Sequence, residues 1–445
     1  MNKLIIKNGL LINEGQSFHK DLLIEGGKIS QIAATINSDN AKIIDATGLI
    51  VLPGIIDDQV HFREPGLTHK ATVASESKAA VAGGVTSFLE MPNTQPQTTT
   101  HEALDTKITR AAESSWANYG FYFGATNSNL EAIRTLNTKK ACALKIFMGS
   151  STGNMLVDQE QTLASIFAES PLLIATHCED EETIQENTTY YREKFGDSIP
   201  FHFHPIIRSH KACYLSTKKA IALAKKHNAR LHILHLSTAD ELSLFTNEQD
   251  ISEKKITAEV CVHHLWFDDS DYDEKGALIK WNPAIKSARD KEALRAGLKE
   301  HRLDVIATDH APHLLSEKQK TYFDAPSGGP LVQHSLMAML ELWKNDIFSL
   351  ELIVEKMCHN PARLFDIVDR GFIREGYYAD LVIVDPTRQH KVDDHPIYYK
   401  CGWTPFQGYS FSSHILATIV NGGIAYHDGK FAPVSYAKAL EYKRN

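Results

Sequence analysis

Short apolar runs separated by turn dipeptides open the chain, at residues 4–6, 22–24 and 42–52, with Asn8-Gly9 and Gly26-Gly27 between them. Such pairs favour the positive-φ turns of hairpins, so this stretch reads as β structure. The texture returns after Gly371, with apolar strands at 379–384 and 415–420 and turns at Asn421-Gly422-Gly423 and Asp428-Gly429. Neither end holds enough strands for a stable sheet, which predicts that the two termini combine into one small β-sandwich module. Between them the rhythm changes. Apolar runs at 55–61, 85–91, 119–125, 143–148, 172–177, 231–236, 256–262 and 304–309 alternate with amphipathic stretches such as 72–82 and 211–226. Eight strand-then-helix units in this span predict an α/β fold, a (β/α)8 TIM barrel over residues 56–369, with the module built from 1–55 and 370–445.

Composition narrows the class. The chain has 445 residues, 43% hydrophobic and 23% charged, with 25 glycines and 16 prolines, which excludes a disordered or collagen-like chain. Lys and Arg number 47 against 55 Asp and Glu, a net charge of −8 that repels nucleic acid and anionic membrane. A small anionic substrate therefore needs a local cationic pocket. The six cysteines are scattered without a CxxC pair, which argues for reduced thiols rather than a disulfide framework or a thiolate zinc site. The N-terminal stretch lacks signal-peptide features, and no apolar run approaches the roughly 18 residues of a membrane span. The expectation is a soluble, cytoplasmic protein without a nucleic-acid or membrane partner.

The unusual number is 22 histidines. In a barrel of this type chemistry sits at the C-terminal ends of the strands, where His61, Lys145, His177, His235 and Asp309 fall. Three imidazoles and a carboxylate suit zinc or another borderline divalent ion. A bare ammonium at Lys145 would repel the metal, whereas a carbamate formed with carbon dioxide would bridge two ions. Two other groups read differently: His202 and His204, flanked by prolines, as loop residues, and His263 and His264 as packing or supporting residues.

Together these residues resemble the cyclic amidohydrolases, and within them the dihydroorotases. The likeness runs through Val51-Leu52-Pro53-Gly54-Ile55-Ile56-Asp57, His61-Phe62-Arg63-Glu64-Pro65-Gly66, Met91-Pro92-Asn93-Thr94, Lys145, His177, His235, Asn282-Pro283 and the Asp309 segment. It implies one or two zinc ions held by His61, Lys145, His177, His235 and Asp309, a carboxylated Lys145, and Asp309 as general base. It implies that Arg63, Asn93 and His313 hold the α-carboxylate of dihydroorotate or N-carbamoyl-L-aspartate, and that Asn282 and the Pro326–Pro330 loop meet the ring. It also implies a homodimer. Arg63 discriminates best, since a guanidinium matches a carboxylate that allantoin and simple hydantoins lack. One position departs: Gln59 stands where the family has the first of two histidines, and its amide oxygen is a harder, weaker zinc ligand. Two alternatives follow, another cyclic amidase (allantoinase or hydantoinase), or a catalytically silent subunit supporting aspartate transcarbamoylase.

Overall fold

The computed structural model describes residues 3–149 and 155–444. The eight apolar runs all become barrel strands: Ile55–Val60, Val85–Glu90, Asn118–Phe121 continued by Phe123–Gly124, Leu144–Phe147, Ile174–His177, Leu231–Ile233, Ile256–Cys261 and Val305–Ala307. Neighbours pair in parallel, with Lys145 beside Ala175 and Cys261 beside Ala307. A bridge from Val60 to His310 closes the ring between the last strand and the first. These strands are covered on both faces, which is why they read as continuous apolar runs rather than alternating ones. At the break in the third strand Tyr122 points inward and donates its hydroxyl to the Asp58 carbonyl at 2.9 Å.

The helices end where their sequences say. Val73–Ala82 starts at Thr72, whose side chain accepts from Ser75 N in a capping box. His210–His227 starts at Ser209, carries Lys225, Lys226 and His227 in its last turn and stops at left-handed Asn228.

Two β layers flank the barrel. One contains only N-terminal strands, Lys28–Ala33, Asp21–Glu25, Lys3–Lys7 and Ala41–Asp45 in that spatial order. The N-terminal segment thus does make a sheet of its own, contrary to the expectation that neither end could. The other is a seven-stranded sheet drawn from both termini: Lys430–Phe431, Gly423–His427, His414–Val420, Leu381–Asp385, Ile50–Pro53, Leu10–Asn13 and Gln16–His19. The run at 42–52 is not one strand. It splits at a turn containing Gly48, φ 75°, so its two halves join different sheets. Ile50–Pro53 then enters the first barrel strand through Gly54, where a Cβ would stand 2.1 Å from Thr86 Oγ1. No helix among the described residues is long and apolar enough to cross a membrane.

Candidate metal centre and active site

A cavity of about 440 Å³ opens at the C-terminal mouth of the barrel, within the range of small-molecule sites. All nine residues expected from the sequence line it: His61, Arg63, Asn93, Lys145, His177, His235, Asn282, Asp309 and His313. Two of them lie beyond the strands assigned to them. The sixth strand stops at Ile233 and the eighth at Ala307, and His235 and Asp309 follow on left-handed backbone, φ 40° and 46°. Arg63 is a third such residue, φ 67°. Non-glycine residues adopt this conformation at a cost, and here it turns all three side chains into the mouth.

The candidate metal donors fall into two pairs. His61 Nδ1 lies 2.8 Å from Asn93 Oδ1 and donates to it, so Nε2 keeps its lone pair. That lone pair faces Asp309 Oδ1 at 3.1 Å. Burial holds His61 below the usual imidazole range, so two acceptors confront each other, an arrangement that a cation resolves. In the second pair His177 Nδ1 lies 3.0 Å from His235 Nε2. His177 Nε2 donates to Glu179 Oε2 at 2.9 Å, the carboxylate support that orients metal-binding histidines. Burial lowers both rings, His235 far below the usual range, and His235 Nδ1 has no hydrogen-bond partner among the described residues. Tetrahedral ligands of one zinc ion stand about 3.4 Å apart, so both pairs have spacings that suit a shared ion. The donor set fits a divalent metal.

Lys145 is 1% exposed and interacts electrostatically with all four donors. Burial pushes its amine down to about 8 against the pull of Asp309 and Glu259. Gln59 turns its amide nitrogen to Asp309 Oδ1 at 3.3 Å and its oxygen to Cys261 Sγ at 3.8 Å, so it presents a donor where an imidazole lone pair would stand.

A second layer of partners was legible from the sequence only at His263 and His264. Burial works to raise Glu179, yet the Arg208 guanidinium and His177 outweigh it and hold the carboxylate down at about 2. Glu259 Oε1 accepts from the backbone of His235 at 3.0 Å, fixing the left-handed turn. Its other oxygen reaches His232 at 3.3 Å; burial opposes charge on that ring, but Asp58 and Glu259 push it up to about 9. Asp57 takes the Thr308 hydroxyl at 2.6 Å and so ties the first strand to the last. Trp281 Nε1 donates to Asp309 O at 3.2 Å, and His263 stacks on Trp281 at 4.4 Å, a supporting position. His264 donates to Pro283 O at 3.2 Å, next to Asn282. His204 departs from the loop reading: it is buried in a short helix between the Tyr322 hydroxyl, 2.8 Å, and Trp281 O, 2.7 Å.

The opposite wall is built for an anion. Arg63 is 8% exposed, donates Nε to Pro312 O at 3.1 Å, and has no carboxylate within 4.0 Å among the described residues. Burial lowers it to about 10 without discharging it. Lys70 Nζ donates to His313 Nδ1 at 3.0 Å, which puts the His313 proton on Nε2, directed at Ser327 O, 3.0 Å away. Arg63 Nη2 therefore faces an N–H rather than an acceptor at 3.0 Å. The adjoining loop is braced from below: Lys318 donates to Pro326 O and Gly328 O, each at 2.7 Å, and Lys280 to Tyr322 O and Ala325 O at 2.5 and 2.6 Å. Gly328 adopts φ 118°, and a Cβ there would stand 2.6 Å from Ala311 O. The partners of Lys70 and Lys280 lie far away in sequence and those of Lys318 are backbone carbonyls, which is why the three lysines gave no signal there. Glu179 could have been found, since it follows His177 by two residues at a strand end.

Comparison with known proteins agrees with this geometry. The amidohydrolase family profile matches residues 50–425. A dihydroorotase from Methanosarcina acetivorans is 33% identical over 92% of this chain and 89% of its own length. One from Carboxydothermus hydrogenoformans is 32% identical over 95% and 98%. Among solved structures, the L-hydantoinase (dihydropyrimidinase) of Arthrobacter aurescens superimposes with a TM-score of 0.93 at 27% identity, covering 99% of this chain and 100% of that one. With eight barrel strands, donors at their C-terminal ends and relatives matched along nearly their whole length, the chain belongs to the amidohydrolase family.

Proposed function

We propose that this chain is a metal-dependent cyclic amide hydrolase that converts dihydroorotate reversibly to N-carbamoyl-L-aspartate. The observation that carries the reading is Arg63, a buried guanidinium with no carboxylate within 4.0 Å among the described residues, in the same cavity as the metal donors. A buried charge of this kind calls for a counter-charge, and the substrate's α-carboxylate supplies one. Hydantoin and allantoin carry no such group, so the hydantoinase neighbour fits as a relative in fold and the curated dihydroorotases fit in substrate.

The residues divide the work. Arg63, the amide nitrogen of Asn93 and His313 hold the carboxylate, the His313 Nε2 proton turning from Ser327 O to it, while Asn282 and the backbone of the 326–329 loop meet the ring. His61 and Asp309, and His177 and His235, hold zinc, one ion or two. Gln59 makes the first of these positions the weaker. Lys145, lowered to about 8 by burial, keeps part of its amine neutral near physiological pH. Its Nζ lone pair adds to carbon dioxide, an N–C bond forms, one proton leaves to solvent, and the resulting carbamate joins the two pairs. When bound, the metal polarises the ring carbonyl and lowers the pKa of water. Asp309 takes the water proton as a C–O bond forms and returns it to the ring nitrogen as the amide C–N bond breaks.

The test is turnover by zinc-loaded protein under bicarbonate, with allantoin and dihydrouracil as controls. Turnover confined to dihydroorotate, abolished in Asp309→Asn with an unchanged circular dichroism spectrum, is expected. No turnover despite tightly bound metal would overturn the substrate, and neither metal nor turnover would favour the silent subunit. A homodimer is part of the proposal, and sedimentation measures it directly.

A further inference from the structure

Three histidines on the terminal β layers are gathered in a way the reaction does not use. His390 lies in the short strand His390–Lys391, His395 follows the turn Val392–Asp394, and His414 opens the strand His414–Val420. One ring nitrogen from each lies within 4.8 Å of the other two. His390 Nδ1 and His414 Nδ1 are 3.0 Å apart. His414 Nε2 lies 3.2 Å from Asp428 Oδ1 and donates to it, so its Nδ1 keeps the lone pair, the way a carboxylate prepares an imidazole for a metal. His390 is 6% exposed and its Nε2 has no hydrogen-bond partner among the described residues. A void of about 20 Å³, room for one water-sized occupant, adjoins all three rings.

We infer that His390, His395 and His414 form a binding site for one borderline divalent transition-metal ion of the zinc, cobalt or nickel type. An all-imidazole donor set selects such ions over magnesium or calcium, which demand oxygen. The site shares no lining residue with the catalytic cavity. Arg388 adds positive charge nearby, but its guanidinium is paired with Asp428 at 2.8 Å, which offsets it. His395 stacks on His390 with ring centroids 3.9 Å apart and planes 11° from parallel. Stacked imidazoles direct their lone pairs along separate parallel planes that cannot meet at one ion, so the partly exposed His395 is the ring that turns on binding. The ion then ties the 386–395 segment to the seven-stranded sheet.

The experiment is zinc stoichiometry after dialysis of the full-length protein, comparing unaltered protein with His395→Ala and with His202→Ala, a control at a half-exposed histidine. His395→Ala is expected to hold one equivalent fewer, with dihydroorotate turnover within twofold of the unaltered protein. The cobalt-loaded unaltered protein minus His395→Ala is expected to show ligand-field bands of a nitrogen-ligated tetrahedral site. Equal stoichiometry in unaltered and His395→Ala protein overturns the inference. An equal loss in His202→Ala also overturns it, since the extra ion is then adventitious surface binding.

Discussion

Replacing Arg63 with methionine tests the anion pocket directly. Methionine keeps much of the packing volume and removes the charge and its N–H groups. Breaking a buried, hydrogen-bonded charge pair costs about 3–5 kcal/mol. Lys70 and His313 remain beside the carboxylate, so the low end, about 3 kcal/mol, is expected. At 1.36 kcal/mol per tenfold, that is a fall of about 150-fold in kcat/KM for dihydroorotate, chiefly through KM. Dihydrouracil, the same ring without the carboxylate, serves as the internal control, and its kcat/KM should change by less than about threefold. The fold should not suffer, because Arg63 is a desolvated cation that loses no ion pair among the described residues and gives up a hydrogen bond to Pro312 O. Steady-state kinetics on both rings, with a thermal melt, decides the matter. Equal losses on the two rings would refute the carboxylate contact, and a large fall in kcat with unchanged KM would reassign Arg63 to the reacting atoms.

The remaining predictions concern the supports. Glu179→Gln removes the charge behind His177 and should weaken zinc affinity by about 10–100-fold, read by competition with a chelator; unchanged affinity would deny the pair its role. Lys145→Ala should lose activity and regain part of it with added short carboxylic acids, and a variant fully active without them would end the carbamate reading. Burial holds Lys280 down at about 7 in the fold, against about 10.4 in the unfolded chain. Between those values the unfolded state binds more protons, so stability rises with pH across that window. Urea midpoints at pH 7 and about 9.5 should separate the original protein from Lys280→Met, and parallel shifts would contradict the depressed amine.

How far the sequence could reach is clear from individual residues. The barrel was legible because each strand is sealed on both faces and so is written as a largely apolar run without strict alternation, with an amphipathic stretch after most of them. The turn at Gly48 was not: 42–52 is apolar enough to pass for one strand, and only pairing with two different sheets reveals the break. His235 and Asp309 were identified as residues but placed inside strands, because hydrophobic periodicity carries no information on the sign of φ. Five cavity residues, His61, Lys145, His177, His235 and Asp309, were found through their chemistry and strand-end positions, and Arg63, Asn93, Asn282 and His313 through the family resemblance. Lys70, Arg208 and Lys280 were missed because what defines them is a partner distant along the chain, and Lys318 because its partners are backbone carbonyls, which carry no side-chain signature. His204 misled because proline neighbours suggest a loop, whereas the Tyr322 hydroxyl and Trp281 carbonyl bury it.

The seven-stranded sheet sets a schedule for the newly made chain. Ile50–Pro53 pairs on one side with Leu10–Asn13, available at once, and on the other with Leu381–Asp385. Roughly 330 residues separate the second pair, and synthesis at about 5–20 residues per second takes about 15–65 s to deliver the partner. For that interval the nascent polypeptide carries an open, apolar sheet edge that leads through Gly54 into the first barrel strand. The ribosome-bound chain is therefore exposed to strand-to-strand aggregation until its last seventh emerges, and chaperone holding matters most in that window.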